Sequence, residues 1–336
     1  MDKTVMFAVA GAGKTTYIIN HLSCTKRSLI VTYTDGNYKN LYRKICNKFG
    51  GKFPENVTLM TYFKFLYSFC YKPFWADTVK AKGIIFQNNP NRFEKQTEYI
   101  YYISPNGYFY SNRLAFFLEN SHGVDGIIRR LETYFDEFVI DEIQDIAGRD
   151  FNFLEKLMSA KMNMLFVGDF YQHTFDTSRD GVVNKNLFSD KCSYEAHFTA
   201  KGFKSDVTTL LSSWRCSQSV CAYINTNLGI NISSNRTKDD DTQIYVPSET
   251  KEKNQILNDD SIMKLHYQNG AKYGYCHKNW GETKGEDHYQ DVCVLLNKST
   301  SEKFFSGKLN ELRPSTKNKL YVAITRARGD VYFINE

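Results

Sequence analysis

Residues 5–16 constrain this chain more than any other stretch. An apolar run, Val5-Met6-Phe7-Ala8-Val9, breaks into Ala10-Gly11-Ala12-Gly13-Lys14-Thr15-Thr16, and a helix-like segment over 17–22 follows. A strand that ends in small residues and reopens as a helix builds a cradle for phosphate. Gly11 and Gly13 let the backbone fold tightly enough for its N–H groups to point at phosphate oxygens. The following helix adds its positive end. In such a loop Lys14 reaches the β/γ-phosphates and the Thr15 hydroxyl helps hold Mg²⁺. Ala10, Gly11, Ala12, Gly13, Lys14, Thr15 and Thr16 are therefore the expected nucleotide-binding residues. Ala8 stands where the usual pattern opens with glycine, at a point no phosphate need approach. The rival reading is a glycine-rich turn without a ligand.

The next segments repeat one rhythm. A β-rich run at 28–33 leads to Thr34-Asp35-Gly36-Asn37, a helical pattern covers 38–49, and a second strand at 57–61 enters the aromatic stretch 62–67. Strand, polar loop, helix, strand is the signature of a parallel sheet. Thr34 and Thr61 fall at the carboxyl ends of such strands, where ligands bind. The rhythm fails over 71–126, which contains Pro73, Pro90 and Pro105. This reads as an inserted subdomain with short helices, such as one over 112–120, and no chemistry attaches to it. The sheet resumes at Glu137-Phe138-Val139-Ile140-Asp141-Glu142, delivering two carboxylates to a strand end. Nucleotide hydrolysis needs such a pair, Asp141 to hold Mg²⁺ through its water shell and Glu142 to orient and deprotonate water. A third strand, Met164-Leu165-Phe166-Val167, ends in Gly168-Asp169-Phe170-Tyr171-Gln172, which sets Gln172 to sense a γ-phosphate; Phe175 and Arg179 follow.

After a crossing segment at about 181–204, a second unit opens at 207–217, and a helix over 217–227 has a start signal in Ser217. Residues 229–260 read as a polar loop or small insertion around a strand at 243–246, with Asp239-Asp240-Asp241 a solvated acidic turn rather than a metal site. The stretch from Asn279 to Asp287 precedes a strand at 292–296. Residues 319–328 read as a helix ending in Arg326 and Arg328, ahead of a closing strand at 331–334. Arginines at a helix end often only complement its dipole; a second phosphate-facing domain offers these another use.

The chain's 336 residues exceed the usual single core and favour two domains. The expected division is 1–204, carrying the insertion at about 71–126, and 205–336, with a small insertion at about 229–270. A net charge of +6 permits a nucleic-acid partner without demanding one. The eight cysteines are scattered singly, so neither a zinc site nor a disulfide framework is favoured, and reduced, buried thiols are expected. No apolar run has the length to cross a membrane, and the first strand follows the N-terminus closely, leaving no room for a signal peptide. The expectation is a soluble, cytoplasmic protein of a bacterial or phage-infected cell.

Taken in order, these motifs resemble those of the UvrD/Rep-type DNA helicases of superfamily one. Residues 8–16 match the family's first motif, 32–37 its second and 58–65 its Thr-x-x-x-Phe motif. Val-Ile-Asp-Glu-Ile-Gln-Asp at 139–145 is close to the Asp-Glu-x-Gln-Asp signature. Residues 167–175 match Gly-Asp-x-x-Gln-x-x-Tyr with Phe175 in the last place, and Trp214-Arg215-Cys216-Ser217 matches the Tyr-Arg-Ser motif. Thr283-Lys284-Gly285 fits Ser-Lys-Gly, and 321–328 is nearly a full match to Val-Ala-Leu-Thr-Arg-Ala-Arg.

The resemblance implies an α/β fold of two RecA-like P-loop NTPase domains with parallel sheets and a helical insertion in the first. ATP and Mg²⁺ would lie in the cleft between them. Lys14, Thr15, Asp141, Glu142 and Gln172 would come from the first domain, and Arg215 and Arg326 from the second as arginine fingers, each worth ~10³–10⁵ in rate. The resemblance places Thr34, Thr61, Phe63 and Phe175 near single-stranded DNA and implies 3′-to-5′ movement with duplex unwinding. Beside Gly285, the ribose-reading acid is either Glu286 or Asp287. The family's upstream glutamine motif has no counterpart here, and its base-stacking tryptophan is Thr177. The second inserted subdomain is small, which gives a protein partner for activation a place in this reading. Single-stranded RNA stays open as a substrate. The alternative function is an ATP-gated clamp on single-stranded nucleic acid without processive unwinding. A P-loop kinase is disfavoured, because it leaves Trp214-Arg215 and Thr325-Arg326 without a role.

Overall fold

Short apolar strands separated by helices pair side by side here, because a chain that rises through a strand and returns through a helix re-enters the sheet in the same direction. The computed structural model describes residues 1–87, 89–90, 93–174, 182–236 and 241–336. Two compact units result. One comprises Met1–Met6, Thr15–Gly168 and Asp176–Asp206; the other comprises Phe7–Lys14, Asp169–Phe175 and Val207–Glu336.

The strands of the first part are β1 (Lys3–Phe7), β2 (Ser28–Thr32), β3 (Val57–Thr61), β4 (Gly83–Ile85), β5 (Tyr108–Tyr110), β6 (Glu137–Asp141), β7 (Asn163–Gly168) and β8 (Lys204–Asp206). Six of them form one sheet in the order β3-β2-β6-β7-β1-β8. The β2–β3, β2–β6, β6–β7 and β1–β8 pairings are all parallel. Every residue of β2 and β6 is buried, as expected of central strands covered on both faces. An aromatic core fixes the sheet to its helices: Phe166 lies 5.7 Å from Phe138, 6.5 Å from Phe198 and 4.9 Å from Phe203, ring centre to ring centre.

Local chemistry explains where the boundaries differ from expectation. The helix after β2 runs Asp35–Lys48 and not from 38, because the Thr34 hydroxyl accepts a hydrogen bond from the Asn37 N–H at 3.1 Å and caps it. The stretch 181–204 does more than cross. It carries a helix, Lys191–Thr199, capped by Asp190 accepting from the Ser193 N–H at 2.7 Å, and leads into β8.

The insertion is built on rings. A π-helical run, Phe65–Tyr71, passes into a helix, Lys72–Val79, and β4 pairs parallel with β5. Tyr71 sits 4.9 Å from Phe109, which is 5.2 Å from Phe117 on the helix Ser111–Asn120. The Arg113 and Arg149 guanidinium groups lie over Tyr101 and Phe116 at 3.6 and 3.7 Å. Much of the chain's abundant Tyr and Phe is spent on this packing.

In the second unit, β9 (Ser212–Ser213) pairs with β10 (Ser233–Ser234). The strands β11 (Ile244–Tyr245), β12 (Met263–His266), β13 (His277–Asn279), β14 (Val292–Leu296) and β15 (Val331–Asn335) form a sheet in the order β11-β15-β14-β12-β13, again parallel. Trp280 is fully buried and donates its indole N–H to the Leu265 carbonyl at 2.8 Å. The helix Gln218–Leu228 is capped by Ser217, which accepts from the Val220 N–H. The last helix runs Pro314–Ile324, not 319–328. Proline fits the first turn, and Arg326 and Arg328 lie beyond the helix end.

All eight cysteines are free thiols, but only Cys70, Cys216, Cys221 and Cys293 are buried; Cys24 and Cys192 are exposed. Among the described residues, no helix is long and apolar enough to cross a membrane. Of the acidic turn at Asp239-Asp240-Asp241, the first two residues lie outside the described residues, as does Arg179.

Replacing Phe166 with alanine removes a ring packed against three others. We expect a loss of ~3–5 kcal/mol, read as a large fall in thermal midpoint by calorimetry. A midpoint within a degree or two of wild type would show that this aromatic cluster does not hold the sheet.

Candidate functional site

The phosphate-type loop is held by the second unit. Ala8, Val9, Ala10 and Ala12 are buried in one core cluster with Cys216, Val220, Tyr321 and Ile324. The Val9 N–H donates to the Leu210 carbonyl at 2.9 Å, and the Trp214 N–H donates to the Gly11 carbonyl at 2.9 Å. Gly11 and Gly13 have φ of +71° and +88°. At Gly11 space matters as much as backbone: an added Cβ would lie 2.7 Å from Ser213 Oγ and 2.8 Å from Arg215 Cβ. Lys14 opens the helix Lys14–His21 and is nearly buried, while Thr15 and Thr16 follow in its first turn.

One hydroxyl joins this loop to the Gly-Asp-x-x-Gln hook. Tyr321 Oη accepts from the Ala10 N–H at 2.9 Å and donates to Asp169 Oδ2 at 3.2 Å. The same carboxylate oxygen accepts from Gln172 Nε2 at 2.8 Å, and Asp169 Oδ1 accepts from the Tyr171 N–H at 3.1 Å. Complete burial, reinforced by the Asp169 charge, pushes the Tyr321 phenol well above its ordinary range. It therefore keeps its proton at physiological pH and serves as a neutral bridge.

Both candidate arginines are fixed. Arg215, 8% exposed, donates from Nη1 to the Thr325 carbonyl at 2.9 Å and pairs through Nη2 with Asp287. Arg326, 1% exposed, donates from Nε to the Val322 carbonyl at 3.1 Å and from Nη1 to the carbonyls of Thr283 and Glu286 at 3.2 and 3.1 Å. Burial, with Arg215 adding repulsion, lowers Arg326 to about 10; it remains charged at neutral pH. Asp287 stands 3.9 Å from the Arg326 Nη1. Glu286 is engaged elsewhere, in an ion pair with Lys278 at 2.6 Å and a hydrogen bond from the Tyr289 hydroxyl. Of the two acids beside Gly285, then, Asp287 is the one whose side chain meets the arginines.

The paired carboxylates belong to the first unit. Asp141 ends β6, is 4% exposed and accepts from Thr32 Oγ1 at 3.5 Å. Glu142 adopts a left-handed backbone, φ +58°, which turns the chain sharply and sets its carboxylate to accept from Gln144 Nε2. The turn leaves no room opposite it. A Cβ on Gly168 would collide with Gln144 Oε1 and lie 2.7 Å from Ile143 Cγ2. Thr15 and Asp141 offer hard oxygen donors of the kind Mg²⁺ takes together with water and nucleotide phosphate. No group of three or more metal-ligating side chains occurs among the described residues, and an ion shared with a nucleotide needs none.

Of the residues expected to touch a strand, Thr34 is exposed with its hydroxyl engaged as a helix cap. Thr61 and Phe63 are half-buried at the end of β3. Phe175 and Thr177 lie outside the described residues. Sequence reasoning missed Trp214 as a surface. Its indole is 68% exposed, and its Cδ1 lies 3.9 Å from where a Cβ on Gly13 would be. The Tyr321 bridge was likewise invisible, since its partners are separated by hundreds of residues.

Parallel α/β units, a phosphate-type loop and an Asp-Glu strand end are the marks of a P-loop fold of the helicase kind. Residues 119–335 match the viral superfamily 1 RNA helicase core domain, and the chain belongs to that family. The narrower UvrD/Rep-type resemblance is not what this match identifies. Among solved structures, the complex of arterivirus nonstructural protein 10 (helicase) with DNA is similar, at 13% identity and TM-score 0.51, over 99% of this chain and 60% of that one. The crystal structure of arterivirus nonstructural protein 10 (helicase) is matched at 14% identity and TM-score 0.49, over 99% and 59%. The chain thus spans 60% of the length of the first of these helicases. Among curated proteins, no sequence match is found.

Tyr321→Phe keeps the ring and deletes the bridge. We expect a stability loss of ~1–3 kcal/mol, the cost of leaving buried polar groups without a partner, together with at least a tenfold fall in ATP turnover. Thermal melting and steady-state ATPase assays check both. Wild-type turnover in a stable variant would mean that the bridge does not organise the loop.

Proposed function

We propose that the chain is an ATP-dependent helicase core that moves along single-stranded nucleic acid and opens the duplex ahead of it. The observation that carries this reading is the Ala10–Tyr321–Asp169–Gln172 series of hydrogen bonds. It links a phosphate-type loop to a side chain suited to report the γ-phosphate. Hydrolysis can then alter the second unit's packing instead of ending at the nucleotide.

In this reading the backbone from Ala10 to Thr16 cradles the phosphates and Lys14 offsets their charge. Thr15 and Asp141 hold Mg²⁺, which screens the charge that builds up on the transferred phosphoryl group. Glu142 takes the proton from the attacking water, and its Gln144 partner steers the carboxylate. Arg215 and Arg326 supply positive charge to the γ-phosphate, with Asp287 keeping them oriented until nucleotide binds. Gly285 and Glu286 lie on the loop beside them. The exposed Trp214 indole, next to the loop, is a stacking surface for the nucleotide base. Stacking tolerates any base.

Thr34, Thr61, Phe63 and Phe175 are proposed as strand contacts. We take DNA moved 3′-to-5′ as the first substrate, on the motif resemblance and on a similar fold solved with DNA. The matched family is described by RNA helicases, so single-stranded RNA is the necessary comparison. A protein partner that raises unwinding, a boundary near residue 204 and a cytoplasmic site of action belong to the same proposal.

Steady-state ATPase rates measured with single-stranded DNA, single-stranded RNA, duplex or no nucleic acid test it. Either single strand should raise turnover severalfold. Lys14→Ala and Glu142→Gln should each lose turnover by at least a hundredfold, while Glu142→Gln still binds ATP because only the base is gone. Turnover that no nucleic acid alters, or that survives Lys14→Ala, would overturn the assignment.

A further inference from the structure

Among the rings that the inserted subdomain leaves largely outside its own core, Phe86 is one that meets another ring at the end of β3. Phe86, directly after β4, is 70% exposed, and it meets Phe63 edge-on, with ring centres 4.9 Å apart and planes at 88°. Phe63 lies 5.7 Å from Tyr33 and 5.5 Å from Tyr62, whose side chain is buried at the end of β3. The rings therefore form a series that starts inside the sheet, passes through half-buried Phe63 and surfaces at Phe86.

An exposed phenyl alone is ordinary. What sets this one apart is its placement and its charge surroundings. Two rings at right angles make a corner, and a planar group lying flat on one ring meets the other edge to face, an arrangement aromatic quadrupoles favour. Lys64 and Lys82, both exposed, follow Phe63 and precede Gly83 in the chain. No acidic residue occurs over 57–74 or 79–87. Asp150 lies behind the series, against Tyr62 in the interior, so the exposed corner itself is flanked by lysines and suits a base attached to a phosphate backbone. It is also continuous with Thr61 and Phe63, at the edge where strand contacts are already proposed.

We propose that Phe86 and Phe63 form a base-stacking corner, so that the inserted subdomain grips one nucleotide of the bound single strand. This inference rests on the nucleic-acid reading above and gives the insertion a function that its sequence did not reveal.

The test is binding of fluorescein-labelled dT20 and rU20 to the full chain by anisotropy. Phe86→Ala should weaken binding about 5- to 100-fold, the range that losing one stacked base produces. Phe93→Ala, fully exposed in the same subdomain, should leave it unchanged. Phe86→Trp should retain affinity, and a strand-dependent quench absent from wild type should report the new indole. Wild-type affinity in Phe86→Ala, or an indole at 86 that the strand does not quench, would overturn the corner. A wild-type chain that binds neither oligonucleotide would instead overturn the functional reading, and this inference with it. Should Phe86→Ala fail to fold, Phe86→Trp decides the matter by itself.

Discussion

The phosphate loop has no secondary structure of its own to hold it, and a single buried phenol does much of that work. Tyr321 ties the Ala10 N–H to the Asp169 carboxylate, and Asp169 holds Gln172. Left unpaired, each of these groups would carry the penalty of a buried polar atom without a partner. The loop, the hook and the final helix therefore hold their positions jointly. The Trp214 N–H on the Gly11 carbonyl adds a second fastening, and Gly11 is small enough to let Ser213 and Arg215 come close.

The first unit follows another constraint, the parallel ladder. When β2, β3, β6 and β7 run the same way, their carboxyl ends share one edge, and the residue types found there are the ones chemistry uses. Thr32, Thr61 and Asp141 each end a strand, and Gly168 closes the last. The left-handed Glu142 turn and the missing side chain at Gly168 are two halves of one fit. Neither can change alone.

What the sequence disclosed is what chemistry keeps local. The loop at 10–16 and the Asp141-Glu142 pair are contiguous, so their residue types speak without knowledge of contacts. The strands at 57–61 and 292–296 are plain because each is a short apolar run bounded by polar residues. The insertion was opaque for the opposite reason: a π-helical run and a three-residue parallel pair leave no periodicity to read, and its core depends on rings meeting across 71, 109 and 117. Spacing does not say which of Glu286 and Asp287 pairs with Arg215 and which with Lys278; only the folded loop separates them. The last helix starts at Pro314, ahead of its apolar run, and Arg326 and Arg328 beyond its end mimic a continuation in sequence.

The topology also imposes an order on the protein's birth. β1 lies between β7 and β8 in its sheet, so it waits for two strands made much later before both its edges are covered. The bond from Ala10 to Tyr321 spans 311 residues. At ~5–20 residues per second of synthesis, the loop precedes its phenol by about 15 to 60 s. For that interval the Ala10 N–H of a nascent chain has no phenol to bond to.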